Sequence, residues 1–126
     1  MIRLPRAAMW ACAAFLAVAF VLVGISKLTG PSATRWNERF VHWGYPVSVQ
    51  YVVGILEVLG GLGLLIAKSR RAAAATLIAL MIGALFTHLV NAEPLRLIPP
   101  LVLGGLAFLV YSWRPSAPGE VGPHQP

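Results

Sequence analysis

Charge is what this chain has least of. Only 11% of its 126 residues are charged, against roughly 25% in an ordinary soluble domain. A chain of this length that is 58% hydrophobic cannot hide that much apolar surface from water, so a bilayer is the expected solvent. Cysteine is nearly absent: Cys12 stands alone, which excludes an internal disulfide and a Cys-x-x-Cys redox pair. Its place inside an apolar run reads as a small filler. No nucleotide, phosphate-loop or hydrolase pattern is present. Metal ligands are also missing, because His42 and His124 fall outside the apolar runs and His88 has no second intramembrane partner at ligand spacing. The formal charge of +6 does not point to nucleic acid, since the basic residues sit between apolar runs and form no stripe.

What is there is a series of apolar runs separated by short polar connections. The spans predicted are about 7–28, 47–67, 72–90 and 97–113. The first is longer than the apolar region of a signal peptide, so it reads as a retained span. Between the first two runs, Thr29 to Tyr45 holds Trp36, Phe40 and Trp43 at helical spacing, with Arg35, Glu38 and Arg39 free to face water. That pattern suits either a short helix lying in the headgroup region or a plain loop, with the three aromatics as interfacial anchors. Residues 115–126 are rich in Pro and Gly and are expected to form a disordered cytoplasmic tail after a transmembrane domain over 1–114.

Lipid tolerates only helices or closed barrels, and short turns join neighbouring helices antiparallel. The fold class expected is therefore all-α: an integral-membrane four-helix up-down bundle. Ala75, Ala79, Gly83 and Thr87 form one small-residue ladder; Gly54 and Gly61 share a face with Glu57. Both patterns suit close helix packing. The side holding both termini carries Arg3, Arg6, Lys68, Arg70, Arg71 and Arg114; the other carries Lys27, Arg35, Arg39 and Arg96. Six against four places both termini in the cytoplasm.

Glu57 is the anomaly. It lies inside the second apolar run, where lipid cannot solvate a charge, and an ionisable group there marks a functional-site hypothesis. Side chains lean toward the N-terminus of their own helix. With alternating helix directions, Lys27 and His88 lean into the membrane and Glu57 leans up toward them, with Asn91 about one turn above His88. Lys27, Glu57, His88 and Asn91 thus form a candidate polar or ligand site in the outer half, with Glu57 paired to Lys27, His88 or both. Such a cluster serves as a structural knot, a small-molecule or quinone-like site, or a proton or substrate pathway. No catalytic residue and no cofactor is evident, and no motif supports a quinone.

The pieces Gly24-Ile-Ser-Lys27-Leu28, Gly54-Ile-Leu-Glu57, Gly60-Gly61-Leu-Gly63-Leu64, Gly83-Ala84 and Thr87-His88 resemble, in order and spacing, the DoxX and DoxX-like family of small four-span bacterial membrane proteins. The resemblance runs from roughly Ala14 to Trp113. It implies a multi-pass plasma-membrane protein, loosely linked to respiratory or redox assemblies as a membrane subunit or accessory. The partners it implies are the lipid bilayer and an oxidoreductase, and a homo-oligomer is compatible with it. Any enzymatic role would be as a subunit of an oxidoreductase complex. The alternative is a small proton-coupled exporter resembling the small multidrug-resistance class; those carry their carboxylate in the first helix, where this chain has no acid. A purely structural membrane protein is the third reading.

Overall fold

The computed structural model describes residues 4–115, and the regular structure among them is entirely helical. In chain order the helices are α1 (Arg6–Leu28), α2 (Gly30–Trp43), α3 (Val47–Gly63), α4 (Arg70–Val90), a 3-10 turn over Pro94–Leu97, and α5 (Ile98–Ser112). The segments Arg6–Leu28, Arg70–Val90 and Pro94–Ser112 are each long and apolar enough to cross a membrane, and Val47–Gly63 is a shorter apolar helix. Large apolar side chains such as Phe15, Leu22, Leu59, Ile82 and Phe86 face outward, more than half exposed. A soluble protein would not leave so many on its surface. The fold is an all-α, multi-helix, membrane-spanning bundle. The expected tail lies, beyond Pro115, outside the described residues.

Two points refine the sequence-based expectation, the first being the short helix already offered for the connection after the first run. The bundle contains five α-helices, because residues 30–43 form a full helix entered through Pro31 and closed by Gly44 in the left-handed region at φ 89°. The second apolar run stops being helical at Gly63, four residues short of Ala67. There Ser69 Oγ donates to the carbonyl of Gly63 at 2.9 Å, and Arg70 Nε donates to that of Leu64 at 2.8 Å. With those carbonyls taken by side chains, the chain turns back into α4 early.

α1 and α3 run antiparallel and make the most intimate contact. A Cβ at Gly24 would lie 2.7 Å from the carbonyl oxygen of Gly54, so the two backbones touch where no side chain fits. Gly54, Glu57 and Gly61 all face α1 and are buried. The other expected ladder packs only at Thr87: Ala75, Ala79 and Gly83 are exposed, and the apolar residues that α4 buries are Ala73, Ala74, Leu77 and Met81. These belong to a core with Met9, Ala13, Leu16, Phe20, Leu64, Ala107 and Val110. Most of them lie in the half of the bundle that holds the turn between α3 and α4, and Phe20 and Met81 stand nearer its middle. Among the described residues the opposite half holds no such cluster, its buried hydrophobic residue being Phe40 of α2, which closes over it.

Candidate functional site

The half that α2 closes over is where the buried polar residues gather. Lys27, one residue from the end of α1, sends its Nζ to within 2.8 Å of Glu57 Oε1, and both side chains are almost fully buried. The backbone of Lys27 is level with Gln50, whose Nε2 donates to the Lys27 carbonyl at 2.9 Å. Glu57 lies seven residues further along α3, about 10 Å deeper. The lysine therefore reaches inward along the direction its Cα–Cβ bond dictates, and the carboxylate leans up to meet it. Trp36 of α2 covers the ammonium, with Nζ 4.0 Å from the ring centroid, a cation–π contact strengthened by desolvation. Its own Nε1 donates to Ser26 Oγ at 3.0 Å.

Gln50 holds this corner together. It is fully buried, donates also to the Ala33 carbonyl at 3.0 Å, and accepts from Asn37 Nδ2 at 3.3 Å. One amide thereby ties α1, α2 and α3, and a buried amide without such partners would be costly. Asn91 stays apart from the site: its Nδ2 donates to the Thr87 carbonyl of its own helix at 2.8 Å.

His88 is not joined to Glu57. Its Nδ1 lies 2.8 Å from Glu93 Oε1, and its ring stands nearly perpendicular to that of Trp43, with centroids 5.4 Å apart. Trp43 Nε1 also donates to the Glu93 carboxylate, at 3.2 and 3.4 Å. Backbone geometry brings Glu93 back over His88. Ala92 adopts φ 56°, its N–H donates to Leu89, and the Glu93 N–H donates to the His88 carbonyl at 2.9 Å. This is a Schellman-type helix end with alanine where glycine usually sits. The hydrogen bond from His88 is the main reason the Glu93 carboxyl sits below the usual carboxylate range; partial burial opposes it, and Trp43 and Arg96 add to the lowering. A further polar contact, 2.7 Å between Tyr45 Oη and Thr87 Oγ1, links the end of the α2–α3 turn to α4.

Between these two polar groups lies a cavity of about 550 Å³, partly open, with walls from α1, α2, α3, α4 and the 94–103 segment. Lys27, Glu57 and His88 all border it, as do Trp36, Phe40 and Trp43. The aromatic face of α2, read from sequence as facing the headgroups, is turned toward this space, and Phe40 is only 5% exposed. Phe40 packs against Trp36, Trp43 and Tyr45 with ring centroids 5.3–6.2 Å apart. Ala79 and Gly83 border the cavity too; the small residues of α4 leave room there and bring no helix closer.

Sequence reasoning missed Gln50, Tyr45, Glu93 and Arg39. Gln50 carried a signal, as an amide within an apolar run. Glu93 and Arg39 carried none, since both stand among polar neighbours as loop charges do. Chemically, the site offers a largely apolar chamber with one buried, mutually neutralising Lys–Glu pair on its wall. The ammonium has further donor capacity, and the carboxylate further acceptor capacity, for a ligand hydroxyl or carbonyl.

The family model described as the DoxX-like family matches residues 11–110, the stretch that includes every residue named at the site. No curated protein and no solved structure matches the chain.

Proposed function

The chain belongs to the DoxX-like family, and on that premise we propose that it holds a small, largely apolar molecule in the outer-half cavity, as a membrane subunit or accessory of a redox or respiratory assembly. The observation that carries the binding role is the cavity itself. At about 550 Å³ it falls in the range of small-molecule sites, roughly 300–1,000 Å³, and combines apolar walls with a few polar groups as such sites do. The redox association rests on the family's loose link to such assemblies; a quinone fits the chamber's apolar character, with no motif behind it.

The protein is a bacterial plasma-membrane protein in this reading, with four spans and both termini in the cytoplasm. The seventeen-residue α3 is about 25 Å long, and the turns after Gly63 extend it. Lys27 is buried against Glu57, so it does not count as a loop charge, and the cytoplasmic excess of basic residues widens. An exporter reading draws on one feature, the membrane carboxylate Glu57 bordering the cavity; drug-dependent proton release from the purified protein would favour it.

Purification of the full chain in mild detergent, followed by mass spectrometry of bound proteins and small molecules, tests the proposal. A stoichiometric small molecule, an oxidoreductase partner, or both is the expected result. Neither would leave a structural membrane protein with a polar knot.

A further inference from the structure

The cavity's rim is charged asymmetrically, and that asymmetry selects among apolar ligands. Lys27 and Glu57 neutralise each other at 2.8 Å. Two other cations border the same space, Arg39 of α2 and Arg96 of the 3-10 turn. Among the described residues no carboxylate lies within salt-bridge distance of Arg39; its guanidinium rests instead 5.0 Å from the centroid of Trp36. Arg96 reaches Glu93 through a single contact at 3.4 Å, and that carboxylate is already engaged by His88 at 2.8 Å and by Trp43. The rim therefore presents two guanidiniums with little local compensation above an apolar chamber. A neutral ligand has no use for either one, whereas guanidinium is well matched to carboxylate and phosphate.

We propose that the occupant is a single-chain amphiphile with an anionic head, a carboxylate or a phosphate. Its head meets Arg39 and Arg96 at the rim, and its chain lies in the apolar part of the cavity against Phe20, Val23 and Leu103. This rests on the cavity being a ligand site, as proposed above, and names the ligand's class. Trp36 has two tasks in it: one face covers the Lys27 ammonium and the same ring system holds Arg39 in place.

The test uses the full chain in nanodiscs of neutral phosphatidylcholine, followed by tryptophan fluorescence, since Trp36 and Trp43 border the cavity. The probes are dodecanoate and dodecyl phosphate, with dodecanol and dodecyltrimethylammonium as neutral and cationic counterparts, and acetate and inorganic phosphate without a chain. The two anionic amphiphiles should bind, and the alcohol and the cation should bind at least about 10-fold more weakly. Arg39→Gln should weaken the anionic amphiphiles about 10-fold, the scale of one lost charge-assisted hydrogen bond, and leave the alcohol unchanged; Arg39→Lys should recover part of the loss. Arg96→Gln gives the same test from the other side of the rim. Equal binding of all four chains would overturn the anionic head while leaving the cavity a ligand site. Acetate or phosphate binding as tightly as the chained probes would overturn the amphiphile and leave a small-anion site. Binding of none of the probes would overturn the ligand site and this inference together.

Discussion

Lys27 and Glu57 are the residues whose energetics are most exposed to test. Two charges taken out of water cost several kcal/mol each by desolvation, and their attraction offsets that only while both are present. Lys27→Met or Glu57→Leu alone should each destabilise the protein by about 3–5 kcal/mol. The double variant should lose much less than the sum, because neither charge is then stranded. Unfolding in detergent measures this, and additive losses would show that the 2.8 Å contact carries no coupling. Glu93 makes a second prediction. Its carboxyl is held below the usual range, chiefly by the hydrogen bond from His88. The unfolded chain therefore takes up this proton at higher pH than the folded one, and stability rises with pH across that window. The contribution is complete above the ordinary carboxylate pKa and disappears as pH falls through the lower, folded value. The thermal midpoint should drop on acidification through this window, and Glu93→Gln should flatten that part of the profile; superimposable profiles would contradict the His88–Glu93–Trp43 link. Of these residues Glu57 and Lys27 were readable in the sequence, one as a carboxylate inside an apolar run, the other as the cation its neighbouring helix tilts inward. The pairing of His88 with Glu93 was not, because it depends on a left-handed Ala92 that composition does not announce.

At the scale of the elements, the α1–α3 crossing and the end of α4 carry the sharpest expectations. Gly24→Ala would place a methyl 2.7 Å from the Gly54 carbonyl oxygen, backbone that has no room to move, and should cost about 1–3 kcal/mol. Gly83→Ala meets nothing within 4 Å and should be neutral or stabilising by up to about 1 kcal/mol, since alanine favours the helix. Equal effects of the two in thermal unfolding would contradict the crossing. Ala92→Gly should stabilise by about 1 kcal/mol, because alanine at φ 56° pays the left-handed penalty that glycine avoids; a lower unfolding midpoint would count against this helix end. The glycine face of α3 was legible because residues 54, 57 and 61 fall together at helical spacing. The same reasoning placed Trp36, Phe40 and Trp43 on one face of α2 but could not say what that face meets. Periodicity identifies neighbours on a helix; it does not distinguish headgroups from a cavity. For the same reason the Ala75–Gly83 stripe, read as a packing surface, could not be recognised as partly the border of a space.

For the whole molecule, the division into two halves organises everything else. One half is packed by Met9, Leu16, Phe20, Leu77 and their neighbours; the other holds the buried ion pair, the Gln50 staple and the chamber under α2. An all-α membrane bundle with antiparallel neighbours followed from run lengths and turn lengths alone. The segregation did not, because it depends on which side chains meet across facing helices, and the turn chemistry at Gly63 and Ser69 that shortens α3 acts through side chains distant from its apolar pattern. The half closed over by α2 is proposed as the ligand site. Val53 borders the cavity on the face of α3 that carries Gln50 and Glu57, so Val53→Trp fills the space with a large ring while removing neither charge of the ion pair. Native mass spectrometry of the full chain, wild type and Val53→Trp side by side, measures the occupancy directly. A bound small molecule on the wild type and a folded but empty variant is the expected result; the same occupancy in both, or none in either, would rule the ligand site out.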